Sequence, residues 1–460
     1  MSDSNYISGQ SYEPLRRLLS NRKIEQLRSK IKIRNEVEEV DWSEITIALS
    51  ELDGSDWEPQ LIIAIDGDYS KHQINNGFPG AELGYITVST VLILVDKLRE
   101  LEDSRFVDPK KYRETERPTS IDCLMVGCNT VLDDEGSAKS TMRRILFEKF
   151  KETRTFEEAE TFLDTYEALL KEKIVRSSSS SLKPKCPHDG CDADLKEDYD
   201  EYSCNCCGGK LYSTDALRLH ELMKPVGTNG EMYGQIKDTL KRIQLIHLLR
   251  SFEQKPGAFS ALKRIAFFIE GTLAVFSASS WLAKSFRTEL ERLNQKVKED
   301  FKQDLLIMGV ERSGNFVNHF EDIDTKVSGE KDNFPNQSAF LLSNDYIKNN
   351  IVLNDNPDFV YLKDTAFGRK FFYKTKAGFR VVPSIVSYNN YQSEVKTAFP
   401  AQYPRLADCL RLLDKLVSSQ YNNSVMPLAT AHSEAAIPLN IGKAIFDDLA
   451  REMRNNSTTE

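Results

Sequence analysis

The sequence predicts an α/β protein organised on a mixed sheet. Three observations predict it: short β-branched apolar runs alternate with amphipathic helical segments, turn-forming residues join the first two runs, and the later runs follow helices. Of 460 residues, 40% are hydrophobic and 28% charged, with 24 Phe and 17 Tyr. That composition supplies a core and excludes a mainly disordered or collagen-like chain. A membrane helix needs about 20 mostly apolar residues, and the longest candidate, around Ile265 to Ala278, is interrupted by Glu270. The amino end, MSDSNYISGQSYEPLRR, lacks the apolar region of a secretory signal, so a cytoplasmic location is expected. The formal net charge of −9 excludes a uniformly basic nucleic-acid coat while permitting a local basic groove.

Residues 1–58 read as a helical arm, because Leu15, Leu18, Leu19, Ile24, Leu27 and Ile31 recur at mostly helical spacings among Arg and Lys. Leu61 to Ile65 is a buried strand by its β-branched composition, and it delivers Asp66-Gly67-Asp68 into a turn. A second strand follows at Gly84 to Leu94, and the turn chemistry of Asn75 to Gly80 makes the two a hairpin. Residues 59–100 are thus the first part of the core. Residues 101–225 are expected to be an insertion, helical over 137–175, then a serine linker at 177–181 and a cysteine cluster at 186–207. Residues 226–460 return to the core. Gly230 to Phe252 forms a helix with Met232, Ile236, Leu240, Ile243 and His247 on one stripe, and the apolar stretch Arg264 to Phe276 carries Glu270. Strands are expected at 304–310, 359–362, 368–374 and 379–386, and closing helices at 404–419 and 431–454.

Five of the eight cysteines fall between Cys186 and Cys207, which in a cytoplasmic chain points to metal before disulfides. Cys186-Pro-His-Asp-Gly-Cys191 and Cys204-Asn-Cys206-Cys207-Gly-Gly form two knuckles. Thiolates in a tetrahedral set suit a structural Zn2+ held by Cys186, Cys191, Cys204 and Cys207, with Cys206 or His188 as alternative ligands. Cys123 and Cys128, in the run CLMVGC, read as small buried hydrophobes.

Asp66 and Glu270 interrupt apolar runs, where an acid is unfavourable unless paired or bound to a metal. If their strands are neighbours, the two carboxylates converge at one rim and suit Mg2+ or Mn2+. Glu231, in the first turn of the helix that leads to the Glu270 strand, is the candidate third acid, although that position also complements a helix dipole.

These motifs resemble the NurA nuclease family. IAIDGDYSKHQINNGFPGAELGYITV resembles its opening metal-binding motif and FFIEGTLAVF its later acidic strand. The resemblance continues through LYSTDALRLHE, NGEMYGQI, GVERSGNFVNH, DTAFGRKFFYKT and SSQYNNSVMPLATAHSEAAIPLNIG, in order over most of residues 60 to 445. It implies an RNase H-like, PIWI-related core, a homodimer, and manganese-dependent exonuclease and endonuclease action on DNA. The implied partner is a HerA-type hexameric DNA-translocating ATPase, in end processing and repair or in anti-phage defence. By the same resemblance Asp66, Glu231 and Glu270 are the metal-binding acids, and His432 and Tyr421 are the remaining active-site residues.

Three positions depart from the family pattern: Glu270 stands where aspartate is usual, Asp68 where a small hydroxyl residue is usual, and Asn422 where proline is usual. Arg369 and Lys370, beside Phe367, Phe371, Phe372 and Tyr373, are expected to grip DNA phosphates while rings stack on bases. The departures leave a second reading, a catalytically weak DNA-binding or partner-activating subunit. A zinc-ribbon interaction module is a third.

Overall fold

The computed structural model describes residues 17, 21–31, 41–53, 56–74, 81–96, 116–176, 184–325, 333–388, 396–417 and 423–436. The serine linker and Tyr421 lie outside the described residues, as do Leu15, Leu18 and Leu19 of the amino arm. The chain divides into two compact units, Met1–Asp41 and Trp42–Glu460. In the first, a helix spans Arg22–Arg28, opened by the Asn21 side chain accepting from the Lys23 amide at 3.0 Å, and it buries no residue.

The second unit is built on a nine-stranded mixed sheet, β1 (Ile47–Ala48), β2 (Leu61–Gln73), β3 (Glu82–Leu94), β4 (Glu116–Val126), β7 (Ile265–Glu270), β8 (Leu306–Glu311), β9 (Ser338–Leu341), β10 (Gly368–Lys374) and β11 (Arg380–Val386). A separate two-stranded hairpin comprises β5 (Glu201–Ser203) and β6 (Lys210–Tyr212). The large sheet has the order β1-β9-β10-β11-β8-β7-β2-β3-β4. Its centre is parallel, β2 beside β7 and β7 beside β8, while the remaining neighbours are antiparallel.

The run LIIAI is apolar without interruption because both faces of β2 are covered. Ile63 and Ile65 join one core with Leu240, Ile243, Phe286 and Tyr166, and Ile62 and Ala64 join another with Leu410, Leu413, Leu428 and Ala431. The first core is covered by α1 (Ala138–Glu152), α2 (Phe162–Arg176), α3 (Gly230–Gln254) and α4 (Leu282–Phe301). After α5 (Asn315–Asp324), the second core is covered by α6 (Leu406–Leu416) and α7 (Met426–Ala435). Helix α3 gives way to extended backbone at Lys255, the residue before Pro256, where the proline ring disfavours helical geometry. Gly84 of β3 lets α3 approach, since a Cβ there would sit 2.5 Å from the Tyr233 ring.

Several expectations change. Strand β2 does not end at Asp66 but runs on to Gln73, still paired with β3. Strand β4 completes the sheet from inside the segment expected to be an insertion, and residues from Trp42 onward belong with the core rather than with an arm. The 359–362 segment is a turn rather than a strand, and β9 takes the place beside β10. The last described helix begins at Met426, with Pro427 in its first turn, where a missing amide costs nothing, and residues 437–454 of the expected closing helix lie outside the described residues. Among the described residues no helix is long and apolar enough to cross a membrane.

The cysteine-bearing segment is fastened to the body by a buried ion pair. Arg143 of α1 donates to both Asp215 carboxylate oxygens, at 2.7 and 2.6 Å, and to the Lys210 carbonyl at 2.9 Å. This bidentate geometry is the strong form of such a contact.

Candidate active site

The parallel pairing of β2 with β7 reaches Ile65 and Ile269, so Asp66 and Glu270 stand next to each other one residue further on. Glu270 pairs with Val310 of β8, which places Glu311 one residue beyond again. Three acids thus gather at the carboxyl ends of three adjacent parallel strands, the usual place for a ligand crevice in such sheets. Gly271, at φ 88°, turns the chain sharply away after Glu270, a conformation that favours glycine, and its amide donates to the Val310 carbonyl at 2.8 Å.

Asp66 is fully buried. Its Oδ1 accepts from the Gly67 amide at 2.6 Å, and its Oδ2 lies 3.1 Å from His432 Nδ1 and 3.3 Å from Arg312 Nη2. His432 Nδ1 thus lies between Asp66 Oδ2, which only accepts, and Arg312 Nη2 at 3.3 Å, which only donates; the shorter contact, to Asp66, favours the proton on Nδ1 and the lone pair on Nε2. Burial alone would raise the Asp66 pKa; the His432 hydrogen bond, the charges of Lys241 and Arg312 and the Gly67 amide together hold it below the ordinary value. Asp66 is therefore ionised at neutral pH. The neighbouring Asp68 turns its carboxylate to the Tyr69 amide, at 2.9 Å.

The side chain between the acids is Lys241 of α3. Its ammonium donates to Glu270 Oε2 and lies 3.5 Å from Asp238 Oδ1 and 4.0 Å from Asp66 Oδ1. Burial would push this ammonium towards neutrality, but Glu270, Asp238 and Asp66 outweigh it and raise its pKa. The same cations work on Asp238: burial raises its pKa, and Lys241, Arg242 and Lys237 pull it down to about 2. Beside these groups opens a cleft of about 410 Å³, lined by Lys237, Arg242, Glu270, Arg312, Gly314 and Lys370 among others.

Glu231 is not brought to this centre. It sits at the amino end of α3, largely exposed and 3.7 Å from Lys224, whereas the acids meet the helix at Asp238 and Lys241. Ten residues of helix separate positions 231 and 241, about 15 Å of rise. Arg369 and Lys370 are also placed differently from expectation. Both are buried in β10, a strand paired on each side. Arg369 donates to the Thr397 carbonyl and lies over the Tyr403 ring; Lys370 pairs with Glu311 at 2.5 Å and lies 3.8 Å from the Phe316 ring centroid. These contacts spend the two cations inside the fold. Lys241 and Asp238 had a sequence signal that the reading of α3 passed over: a charged pair, Lys241-Arg242, enters a helix that is apolar on nearly all sides from Leu240 to Leu249.

The cysteines form a second centre. The Sγ atoms of Cys186, Cys191, Cys204 and Cys207 all lie within 4.8 Å of one another, with Cys186–Cys207 at 3.9 Å and Cys191–Cys204 at 3.8 Å. A tetrahedron with Zn–S bonds of about 2.3 Å has edges of about 3.8 Å, so the quartet has the dimensions for zinc. Cys206 is exposed, and His188 directs Nε2 to the Lys210 carbonyl at 2.8 Å. Cys123 and Cys128 are buried.

A family model, the NurA domain, matches residues 60–437. No match is found among curated proteins. Two solved structures are similar to the chain: the crystal structure of the NurA nuclease from Sulfolobus solfataricus, at 8% identity over 98% of each chain with a TM-score of 0.34, and a crystal structure of NurA, at 10% identity over 97% of this chain and 98% of that one with a TM-score of 0.25. The family match takes in eight of the nine sheet strands, the acidic crevice and the cysteine quartet alike, from the strand that carries Asp66 to the helix of His432, and the chain belongs to the NurA domain family.

Proposed function

We propose that this chain is a DNA-processing protein of the NurA nuclease kind, which engages a DNA phosphodiester in the cleft beside Asp66 and Glu270. The observation that carries this reading is the Asp66–His432 pair with Arg312 against it, Arg312 in turn lining a cleft whose wall also carries Lys237 and Arg242. Arg312, part-exposed and with donors to spare, binds a phosphate oxygen. His432, more than a third exposed and oriented by Asp66, takes a proton from an attacking water at Nε2. The three antiparallel strands β4-β3-β2 followed by parallel β7 and β8 support the RNase H-like, PIWI-related reading of the sheet.

Manganese or magnesium does not fit the acids as they stand. A divalent cation needs carboxylate oxygens converging on one point, and the Lys241 ammonium already binds Glu270 and faces Asp66 and Asp238. Glu231 lies too far along α3 to complete a set. This observation favours the second reading, a chain that holds DNA and cuts it weakly. Zinc in the cysteine quartet is structural, and the quartet with β5 and β6 is the zinc-ribbon-like part of the fold. A homodimer, and a HerA-type ATPase that delivers DNA for repair or anti-phage defence, complete the proposal on the strength of family membership.

The test is degradation and binding of end-labelled linear DNA by the purified chain, alone and with a co-expressed HerA-type ATPase, beside D66A, H432A and R312A. Cutting that D66A and H432A abolish supports the nuclease. Binding without cutting, lost in R312A, supports the weakly hydrolytic DNA-holding chain. Neither binding nor cutting in any combination overturns both.

A further inference from the structure

Lys241 lies in the middle of α3 with its side chain 1% exposed, enclosed by the carboxylates of Glu270, Asp238 and Asp66. Arg312 closes the other side, 3.3 Å from Asp66 Oδ2 and 4.0 Å from Glu270 Oε1. A buried ammonium is unfavourable unless several acids surround it, and buried acids are unfavourable unless a cation lies between them. Each requirement is met by the other here. The point between Asp66 and Glu270 is also where a divalent ion would have to sit, and an ammonium there removes a ligand oxygen and repels the ion. Among the described residues, the only group of three or more metal-ligating side chains with converging donor atoms is the cysteine quartet, remote in sequence from these acids.

We infer that Lys241 is the resident cation of this centre, holding Asp66 and Glu270 together in place of Mn2+ or Mg2+ and making the crevice a phosphate site that works without a divalent ion. The inference rests on reading the Asp66 crevice as a DNA phosphodiester site, and it adds the residue that sets its metal requirement. Lys241 is a positioning residue: it touches the acids and leaves the phosphate to Arg312. Replacing it by an acid would turn the surrounding carboxylates into an uncompensated cluster of the kind hard cations bind.

The experiment measures Mn2+ binding to the full chain carrying its zinc, by the electron paramagnetic resonance signal of free Mn2+ and by titration calorimetry, for wild type, D66A, K241M, K241E and D66A/K241E. Wild type and D66A are expected to match. K241E is expected to bind Mn2+ on the order of a hundredfold more tightly, from the reversal of a charge about 4 Å from the ion, and D66A/K241E to lose the gain. K241M, with the ammonium removed and no acid added, is expected to fall between. Mn2+ binding by wild type that D66A abolishes overturns the inference, and so does a folded K241E without gain. Should both Lys241 variants fail to fold, the comparison of wild type with D66A still decides. DNA binding by wild type and R312A in chelator is read separately: its absence sinks the DNA reading and leaves the Mn2+ result standing.

Discussion

His432 Nδ1 lies 3.1 Å from Asp66 Oδ2, so the last described helix and the first long strand meet in one hydrogen bond. Asp66, the nearer of the two partners of Nδ1, favours the tautomer that leaves Nε2 able to accept a proton, as an orienting carboxylate does for a general base. H432A should lower DNA cleavage by about 10²–10⁴-fold, the usual contribution of general-base catalysis, with a modest fall in thermal stability because the buried Asp66 gives up one of its hydrogen bonds. H432A that cuts at the wild-type rate removes the histidine from the chemistry.

Removing the Lys241 ammonium leaves the buried Asp66 facing the part-exposed Glu270 and Asp238. K241M should cost about 3–5 kcal/mol, the range seen when one partner of a buried pair is deleted. Urea unfolding would show it as a fall in midpoint without a change in slope. A change under about 1 kcal/mol would place the lysine in a solvated setting instead.

Lys370 tests the reassignment of β10. K370M should lower the unfolding temperature, because Glu311 loses its 2.5 Å partner and the Phe316 ring loses its cation. Although Lys370 lines the cleft, its ammonium is held by Glu311 in the wall, so DNA affinity and its salt dependence should change little. A phosphate-gripping lysine would do the reverse, weakening binding and reducing the salt slope by about 1.

The cysteine quartet should hold about one zinc per chain, released by C204S and retained in C206S. Zinc measured by a chromogenic chelator after denaturation distinguishes the two. Loss in C206S with retention in C207S would reassign the second knuckle.

Three buried histidines, His220, His247 and His319, have their pKa lowered by burial and give the fold a pH limit. Burial lowers the pKa of His220 and of His247 from 6.5 to about 4, and both stay neutral in the folded chain at pH 7. Unfolding returns them to water, where they bind protons below about 6.5. The unfolded state thus takes up more protons between those values, so the stability they contribute is present above about pH 6.5 and is lost as pH falls towards 4, at most about 3 kcal/mol for each. Asp66 and Asp238, with lowered values, lose their contribution only below the ordinary aspartate range. H247N should flatten the slope between pH 6.5 and 4 in urea midpoints; an unchanged slope would assign the effect elsewhere.

The sheet was readable where apolar composition is strict: residues 62–65, 265–269 and 306–310 are buried and carry no polar side chain. Acids at the ends of those runs, Asp66 and Glu270, drew attention because polar groups there need a reason. The extension of β2 past Asp66 was hidden, since its later residues are polar and only the pairing with β3 holds them extended. Lys241 was hidden for a different cause. Helical periodicity marks which face is apolar but not how far a long side chain reaches, and a lysine stem can cross a core to place its charge at an acid. Arg369 and Lys370 have the charge and aromatic neighbours of a phosphate grip, but β10 is buried along its whole length, and the sequence does not show that both its faces are covered.

The crevice takes its groups from three stretches far apart along the chain, with Asp66 on β2, Lys241 and Glu270 in the middle, and His432 on α7, which lies 366 positions from Asp66. Contacts of that separation form late in folding, after the entropy of closing long loops has been met. During synthesis the strand bearing Asp66 leaves the ribosome long before the helix bearing His432. The centre is therefore incomplete in the nascent polypeptide, and in any product cut short before α7, until the helix bearing His432 has been made.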